Sequence, residues 1–311
     1  METAQDVMGA IFNASLVIMI VATMFGAGLM TTLSALGSVL KNVWLIILVL
    51  LAALLIRPLV GWGMAEIFAL ATPVYIAMLL MAACPGAPLG VRFVMSAKGD
   101  LTAGASLQVL LAAIGCITFP LVANFMIGAA GLGDDFSIPV GDLIMAVAFL
   151  QLVPFAVGIG VRRWTPQHAT SWRPTVTKLS TITLLIVVAL ALLGSFEYMI
   201  DMIGSWALLA GVLFPLVMIL IGYFVARGVR KTRIATAFIE PGSNAGPVFA
   251  AVAIAFNNDP PILAACVVFI FLQIVVGMFV SSYLGKERGK PEDAPAEGEP
   301  AEGEMSEAVL T

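Results

Sequence analysis

Between Ile234 and Phe256 the sequence holds an apolar run long enough to cross a bilayer. In its middle stands Glu240-Pro241-Gly242-Ser243-Asn244-Ala245-Gly246-Pro247. That octet restricts the fold more than any other stretch. Pro241 has no backbone N–H and pushes Glu240 away from helical dihedrals. Gly242 and Gly246 weaken helical preference further. Glu240 carries a formal charge to a depth where insertion costs about 2.5–3.5 kcal/mol. Backbone outside a helix is tolerated at that depth only where it is buried in protein or lines a cavity. The octet therefore predicts a helix broken around a polar site.

The rest of the chain supplies the bundle such a helix needs. Of its 311 residues, 61% are hydrophobic and only 11% charged, with a mean hydropathy of +1.06. These values indicate an all-α polytopic membrane protein. Nine apolar runs predict membrane helices at about 9–29, 43–65, 73–96, 101–127, 138–161, 179–199, 205–226, 234–257 and 262–284. Their short connections make residues 1–285 one bundle. Residues 286–311, rich in Glu, Pro, Gly and Ala, read as a disordered acidic tail. The opening METAQDV has no basic cluster, so the first run is expected to be a retained helix.

Charge placement gives an orientation. With the N-terminus outside, Lys41, Lys98, Arg162, Arg163, Arg173, Lys178, Arg227, Arg230, Lys231, Arg233, Lys286, Arg288 and Lys290 all fall on the inner side. Arg92 lies near the inner end of the third helix, and Arg57 alone falls elsewhere. The outer loops carry Asp134, Asp135, Glu197, Asp201 and Asp259. This asymmetry predicts an odd number of helices in the cell membrane, with a cytoplasmic C-terminus.

A second interruption, Cys84-Pro85-Gly86-Ala87-Pro88-Leu89-Gly90, breaks the third helix. Two Pro/Gly-interrupted segments in corresponding places of two halves point to an inverted-repeat transporter whose site lies where they meet. At a break, the end of the first half offers carbonyls and a negative dipole end to a cation. The start of the second half offers N–H groups and a positive dipole end to an anion. Pro85, Gly86, Ala87, Gly90, Asn244, Ala245 and Gly246 are thus the candidate lining of a substrate site. Glu240, Ser243, Asn244 and Gln108 are the candidate ligands of a cation, either a sodium ion or a proton on the carboxylate alone. Each has a plainer alternative. Glu240 pairs with Arg57 or Arg92, Ser243 and Asn244 satisfy freed backbone groups, and Gln108, Gln151 and Gln273 bond between helices.

Other chemistries lack their residues. His168 is the only histidine and is placed in a loop. Cys84, Cys116 and Cys266 sit in apolar runs without metal-type spacing and read as reduced, structural thiols. An enzyme built on a nucleophile–base pair or a histidine-based metal centre is not expected.

Three patches resemble the bile acid:sodium symporter family. Met24-Phe25-Gly26-Ala27-Gly28-Leu29 is similar to its MFGMGL. Cys84-Pro85-Gly86 running to Lys98-Gly99-Asp100 is similar to its CPGG…KGD, and Glu240 to Gly246 to its EVGMQNSG. The resemblance spans about residues 9–284. It implies a panel domain beside a core domain, with two discontinuous helices crossing in the core. It also implies alternating access and uptake of organic anions with sodium. Family sodium ligands fall here on Ala53, Gly90, Val91, Gly104 and Gln108, whereas Glu240 is kept and Asn244 stands for a glutamine. One sodium at most, near Glu240, is the resulting expectation. The expected partners are the bilayer and a small organic anion, with no nucleic acid and no cofactor beyond that coupling ion. The rival readings are a proton-coupled or uncoupled anion carrier or exporter and, from another class, a channel or membrane receptor.

Overall fold

A computed structural model describes residues 2–87, 89–132 and 140–287. Pro88, the outer acids Asp134 and Asp135, and the tail from 288 onward with its expected disorder lie outside the described residues. Helices α1 (Glu2–Met30), α2 (Leu33–Leu40), α3 (Val43–Leu51), α4 (Arg57–Ile67), α5 (Thr72–Ala83), α6 (Gly90–Ser96) and α7 (Leu101–Ala129) form the first part. Then come α8 (Val140–Trp164), α9 (Pro166–Asp201), α10 (Trp206–Val225), α11 (Arg230–Ile239), α12 (Ala245–Ala255) and α13 (Pro260–Glu287). Among the described residues, seven spans are long and apolar enough to cross a membrane: α1, the composite Val43–Ile67, and parts or all of α7, α8, α9, α10 and α13.

The two interrupted runs fold as the sequence requires. The run at 73–96 becomes α5 and α6, and the run at 234–257 becomes α11 and α12. Helix α5 ends at Ala83 because Pro85 has no N–H to continue it. Helix α11 stops at Ile239, two residues before Pro241. Helix α12 restarts behind Asn244, whose side-chain oxygen accepts from Gly246 N at 3.4 Å and so caps the new N-terminus.

A third irregularity was not foreseen. Ala52–Ile56 form a π-helical turn between α3 and α4, in which the N–H of Arg57 reaches back to Ala52 O. Pro58 follows directly and cannot donate to the carbonyl four residues earlier. The extra residue in that turn rotates everything after it by about 100°. It carries Arg57, which is fully buried, inward.

Two expectations need correction. Helix α9 begins at Pro166 rather than near 179. His168 therefore lies in its first turn, not in a loop, with its ring edge-on to Trp172 at 5.6 Å. Pro166 at the first helical position is favourable, because the missing N–H is an orphan there in any case. The C-terminal tail was expected from 286, but α13 continues to Glu287.

Helix α1 packs against α8 and α9, and α8 against α9, giving a three-helix group. The other long helices gather round the two pairs of short ones. Helix α5 lies on α4, α7 and α13; α11 lies on α6, α7 and α10. Between α1 and α8 the backbones touch at Gly28 and Gly158: a Cβ added to Gly158 would stand 2.5 Å from Phe25 O. The three cysteines are buried and unpaired. Large apolar side chains such as Trp44, Phe125, Phe149, Phe224 and Phe279 point outward, which suits a lipid surface and not water.

The glycine contact yields a stability prediction. Gly158→Leu overpacks the α1–α8 seam and costs about 1–3 kcal/mol or more, read as a lower melting temperature in detergent. Gly194→Leu, with open space round the new side chain, leaves that temperature unchanged.

Candidate functional site

The two interruptions meet. Asn244 N donates to Cys84 O at 3.2 Å, and Pro85 and Ser243 form an isolated antiparallel bridge. The Cys84 thiol also reaches Asn244 O at 3.5 Å. Gly86, at φ +91°, turns the chain under α7, where a Cβ would stand 2.8 Å from Ala112 N. A residue with a side chain is excluded twice over, by the left-handed backbone and by the neighbouring helix. Ala87 faces Gly242 across the crossing.

Breaking two helices inside a bundle leaves carbonyls at the end of α5 without their usual partners. Side chains supply the partners. Arg57 Nη1 donates to Ala82 O at 2.9 Å, and Ser243 Oγ donates to Met81 O at 2.8 Å. Arg57 Nη2 donates to Ser243 Oγ at 2.6 Å, which also accepts from Gln273 Nε2 at 3.1 Å. Ser243 Oγ thus donates once and accepts twice, which fills its capacity. Gln273 Oε1 in turn accepts from Ser243 N at 2.9 Å. One face of the guanidinium lies over the Phe214 ring, 5.4 Å from its centre, within the range of a cation–π contact.

Glu240 follows the last residue of α11 as its C-cap. It is fully buried, and neither of its carboxylate oxygens has a hydrogen-bond partner among the described residues. Arg57 acts on it electrostatically without a direct bond. A buried carboxylate without hydrogen bonds is costly in a low-dielectric interior, so this position calls for a compensating positive charge.

A second polar string leaves the crossing on the other side. Asn244 Nδ2 donates to Gln151 Oε1 on α8 at 3.1 Å. The amide nitrogen of Gln151 is buried without a partner among the described residues. Gln151 and Gln108 share the wall of a small cavity of about 10 Å³, room for about one water molecule, with Met24 and Ala27 of α1, Ala112 of α7 and Phe155 of α8.

The expected site residues therefore divide. Pro85, Gly86, Ala87, Ser243 and Asn244 converge at the crossing, with Glu240 one residue before Pro241. Ala245 and Gly246 open α12, and Gly246 packs against Ile20 of α1. Gly90 opens α6 against Phe238 of α11, while Gln108 stands on the cavity wall. Arg92 is exposed on α6. Arg57, Gln273 and Gln151 were weighed from sequence only as pairing or interhelical groups. Their common signal was polarity within an apolar run; Arg57 was in addition the one basic residue that the inner-side pattern left out.

The hydroxyl of Ser243 gives a direct check. Ser243→Ala strands Met81 O and one arm of Arg57, each at about 1–3 kcal/mol, and lowers the melting temperature in detergent. Gln273→Ala, which leaves the Arg57 bonds in place, costs less.

The sequence model of the sodium bile acid symporter family matches residues 17–202. That stretch runs from α1 to the end of α9 and takes in the first interruption and the Met24–Leu29 patch. Glu240 and the second interruption lie beyond it. No curated protein matches the chain. The matched stretch is more than half of the sequence, and the chain belongs to the sodium bile acid symporter family.

Proposed function

We propose that the protein is a secondary carrier for a small organic anion, working by alternating access with one coupling cation at Glu240. The observation that carries this reading is the meeting of two broken segments beside a buried carboxylate with no hydrogen bond of its own. Discontinuous helices crossing at mid-membrane are the usual place for substrate and coupling ions in transporters of this kind. Each interrupted pair, α5 with α6 and α11 with α12, counts as one crossing beside the seven long spans, which gives nine. The inner-side clustering of Lys and Arg supports an outer N-terminus and a cytoplasmic C-terminus.

The mutual packing of α1, α8 and α9 supports a panel, and the remaining helices a core. In this reading the anion passes between them along α1, α7 and α8, where the present cavity of about 10 Å³ has to widen to admit it. Gln151 supplies a hydrogen-bond donor there, held in place by Asn244. The cation at Glu240 is a sodium ion, after the family's pattern, or a proton in its place. The donors fit sodium unevenly. Glu240 Oε1 and Oε2 are free to coordinate, while Ser243 Oγ is saturated and Asn244 Oδ1 caps α12. A channel is less well supported, because it needs a continuous polar path. Here Phe119, Phe214, Phe249 and Phe269 fill the interior.

Uptake into proteoliposomes of labelled carboxylates, from small keto acids to sterol acids, tests this reading. Glu240→Gln is expected to remain folded and to lose cation-driven accumulation by at least about tenfold, the effect of roughly 1.4 kcal/mol of lost coupling. Gly86→Leu is expected to lose uptake altogether. Accumulation at the wild-type rate by Glu240→Gln would make that carboxylate structural and remove the coupling site.

A further inference from the structure

The crossing already contains a cation. Arg57 is buried on every side, held by Ala82 O and Ser243 Oγ, and acts on Glu240 through its charge without a hydrogen bond between them. Its guanidinium stands at the C-terminal end of α5. There the negative dipole end and freed carbonyls would otherwise draw an ion from solution. We infer that Arg57 is the resident cation of this crossing and takes, as part of the chain, the place of a sodium ion. The protein then binds no sodium there. The inference rests on the carrier reading for its consequence and narrows it: of the two coupling ions considered at Glu240 it keeps the proton and drops sodium, so that anion transport is indifferent to sodium.

Three observations support it. The first is the ligand count. Hard cations take several oxygens at once. At this crossing Ala82 O is occupied by Arg57, Met81 O by Ser243, Cys84 O by Asn244 N, and Asn244 Oδ1 by Gly246 N. Ser243 Oγ has no capacity left, and Gln273 Oε1 and Gln151 Oε1 each accept a bond, so among the side-chain oxygens of the crossing the two of Glu240 are the ones that accept no hydrogen bond from a described residue.

The second is charge. With Glu240 ionised, Arg57 and Glu240 together are neutral, and with Glu240 protonated the pair is already positive. A further monovalent ion beside them is repelled by a guanidinium that no proton loss can neutralise and that a dry interior screens weakly. The third is local architecture. The π-helical turn and Pro58 rotate position 57 into the crossing. The guanidinium then bonds the main chain of one broken segment and the side chain of the other. That is the bridging role an ion between the segments would perform. Ala53, one turn earlier on the same helix, is fully buried and has no side-chain oxygen to offer an ion.

The test measures sodium binding on the purified, full-length protein and is independent of transport. Radioactive sodium (22Na+) is equilibrated with the wild type, Arg57→Gln and Arg57→Lys, and melting temperatures are compared in sodium and choline chloride. A ion bound only by the folded state raises that temperature by mass action. The wild type and Arg57→Lys are expected to show no saturable sodium binding and equal melting temperatures in the two salts. Arg57→Gln, which removes the charge and frees Ala82 O and Ser243 Oγ, is expected to gain both binding and a sodium-dependent rise.

Saturable sodium binding by the wild type or by Arg57→Lys overturns the inference, as does an Arg57→Gln protein as indifferent to sodium as the wild type. If Arg57→Gln does not fold, the wild type and the charge-preserving lysine variant still decide. Failure to transport any anion in any salt would defeat the carrier reading and leave the binding result to judge this inference by itself.

Discussion

The hydrogen bonds from the Arg57 guanidinium to Ala82 and Ser243 hold the structure's centre together. They join the end of one broken segment to the turn of the other, inside a bundle where water cannot replace either partner. Without them, the freed carbonyls of α5 and the hydroxyl of Ser243 would lose their positive contact. The crossing would then rest on the bridge between Pro85 and Ser243, the bond from Asn244 N to Cys84 O, and the bonds from Ser243 Oγ to Met81 O and from the Cys84 thiol to Asn244 O. Most of the neighbouring detail answers the same need. Pro85 and Pro241 break the helices, Gly86 lets the chain turn beneath α7, and Ser243, Asn244 and Gln273 satisfy what the breaks expose.

The site is therefore asymmetric. Toward α5 and α13 the network is nearly closed: Ser243 Oγ carries three hydrogen bonds, and Arg57 Nε alone of the guanidinium nitrogens has no partner among the described residues. Toward α8 the network is left open: Gln151 accepts from Asn244, and its amide N–H groups have no partner. Closed networks give a fixed scaffold, and an open donor beside a cavity gives a place for a ligand. Glu240 lies between these two regimes, where the charge of Arg57 acts on it and its carboxylate has no hydrogen bond among the described residues.

The breaks were legible in the sequence because proline and glycine act locally. Cys84-Pro85-Gly86 and Glu240-Pro241-Gly242 mark their own helix ends whatever packs around them. The meeting of the breaks was legible too, from their placement in two halves of one bundle. The partners of Arg57 were not. Its inward direction depends on a π-helical turn whose only trace in the sequence is Pro58, and its acceptors lie 25 and 186 residues away. Ser243 read equally well as an ion ligand or a backbone partner, and only three-dimensional contacts could show its capacity filled. The start of α9 was misplaced because Pro166 opens a polar helical stretch that hydropathy alone reads as a loop.

The most direct test of the crossing is a cross-link through it. Ala87→Cys and Gly242→Cys would be combined in a protein whose Cys84, Cys116 and Cys266 are replaced by alanine, with a protease site inserted between 133 and 139. A Cβ at position 242 would stand 2.5 Å from that of Ala87, so a small outward shift brings the pair to the roughly 3.8 Å that a disulfide needs. The account predicts that mild oxidation in membranes keeps the two cleaved halves joined until reductant is added. Halves that separate under oxidant, with both thiols still open to labelling, would show that the two interruptions do not meet.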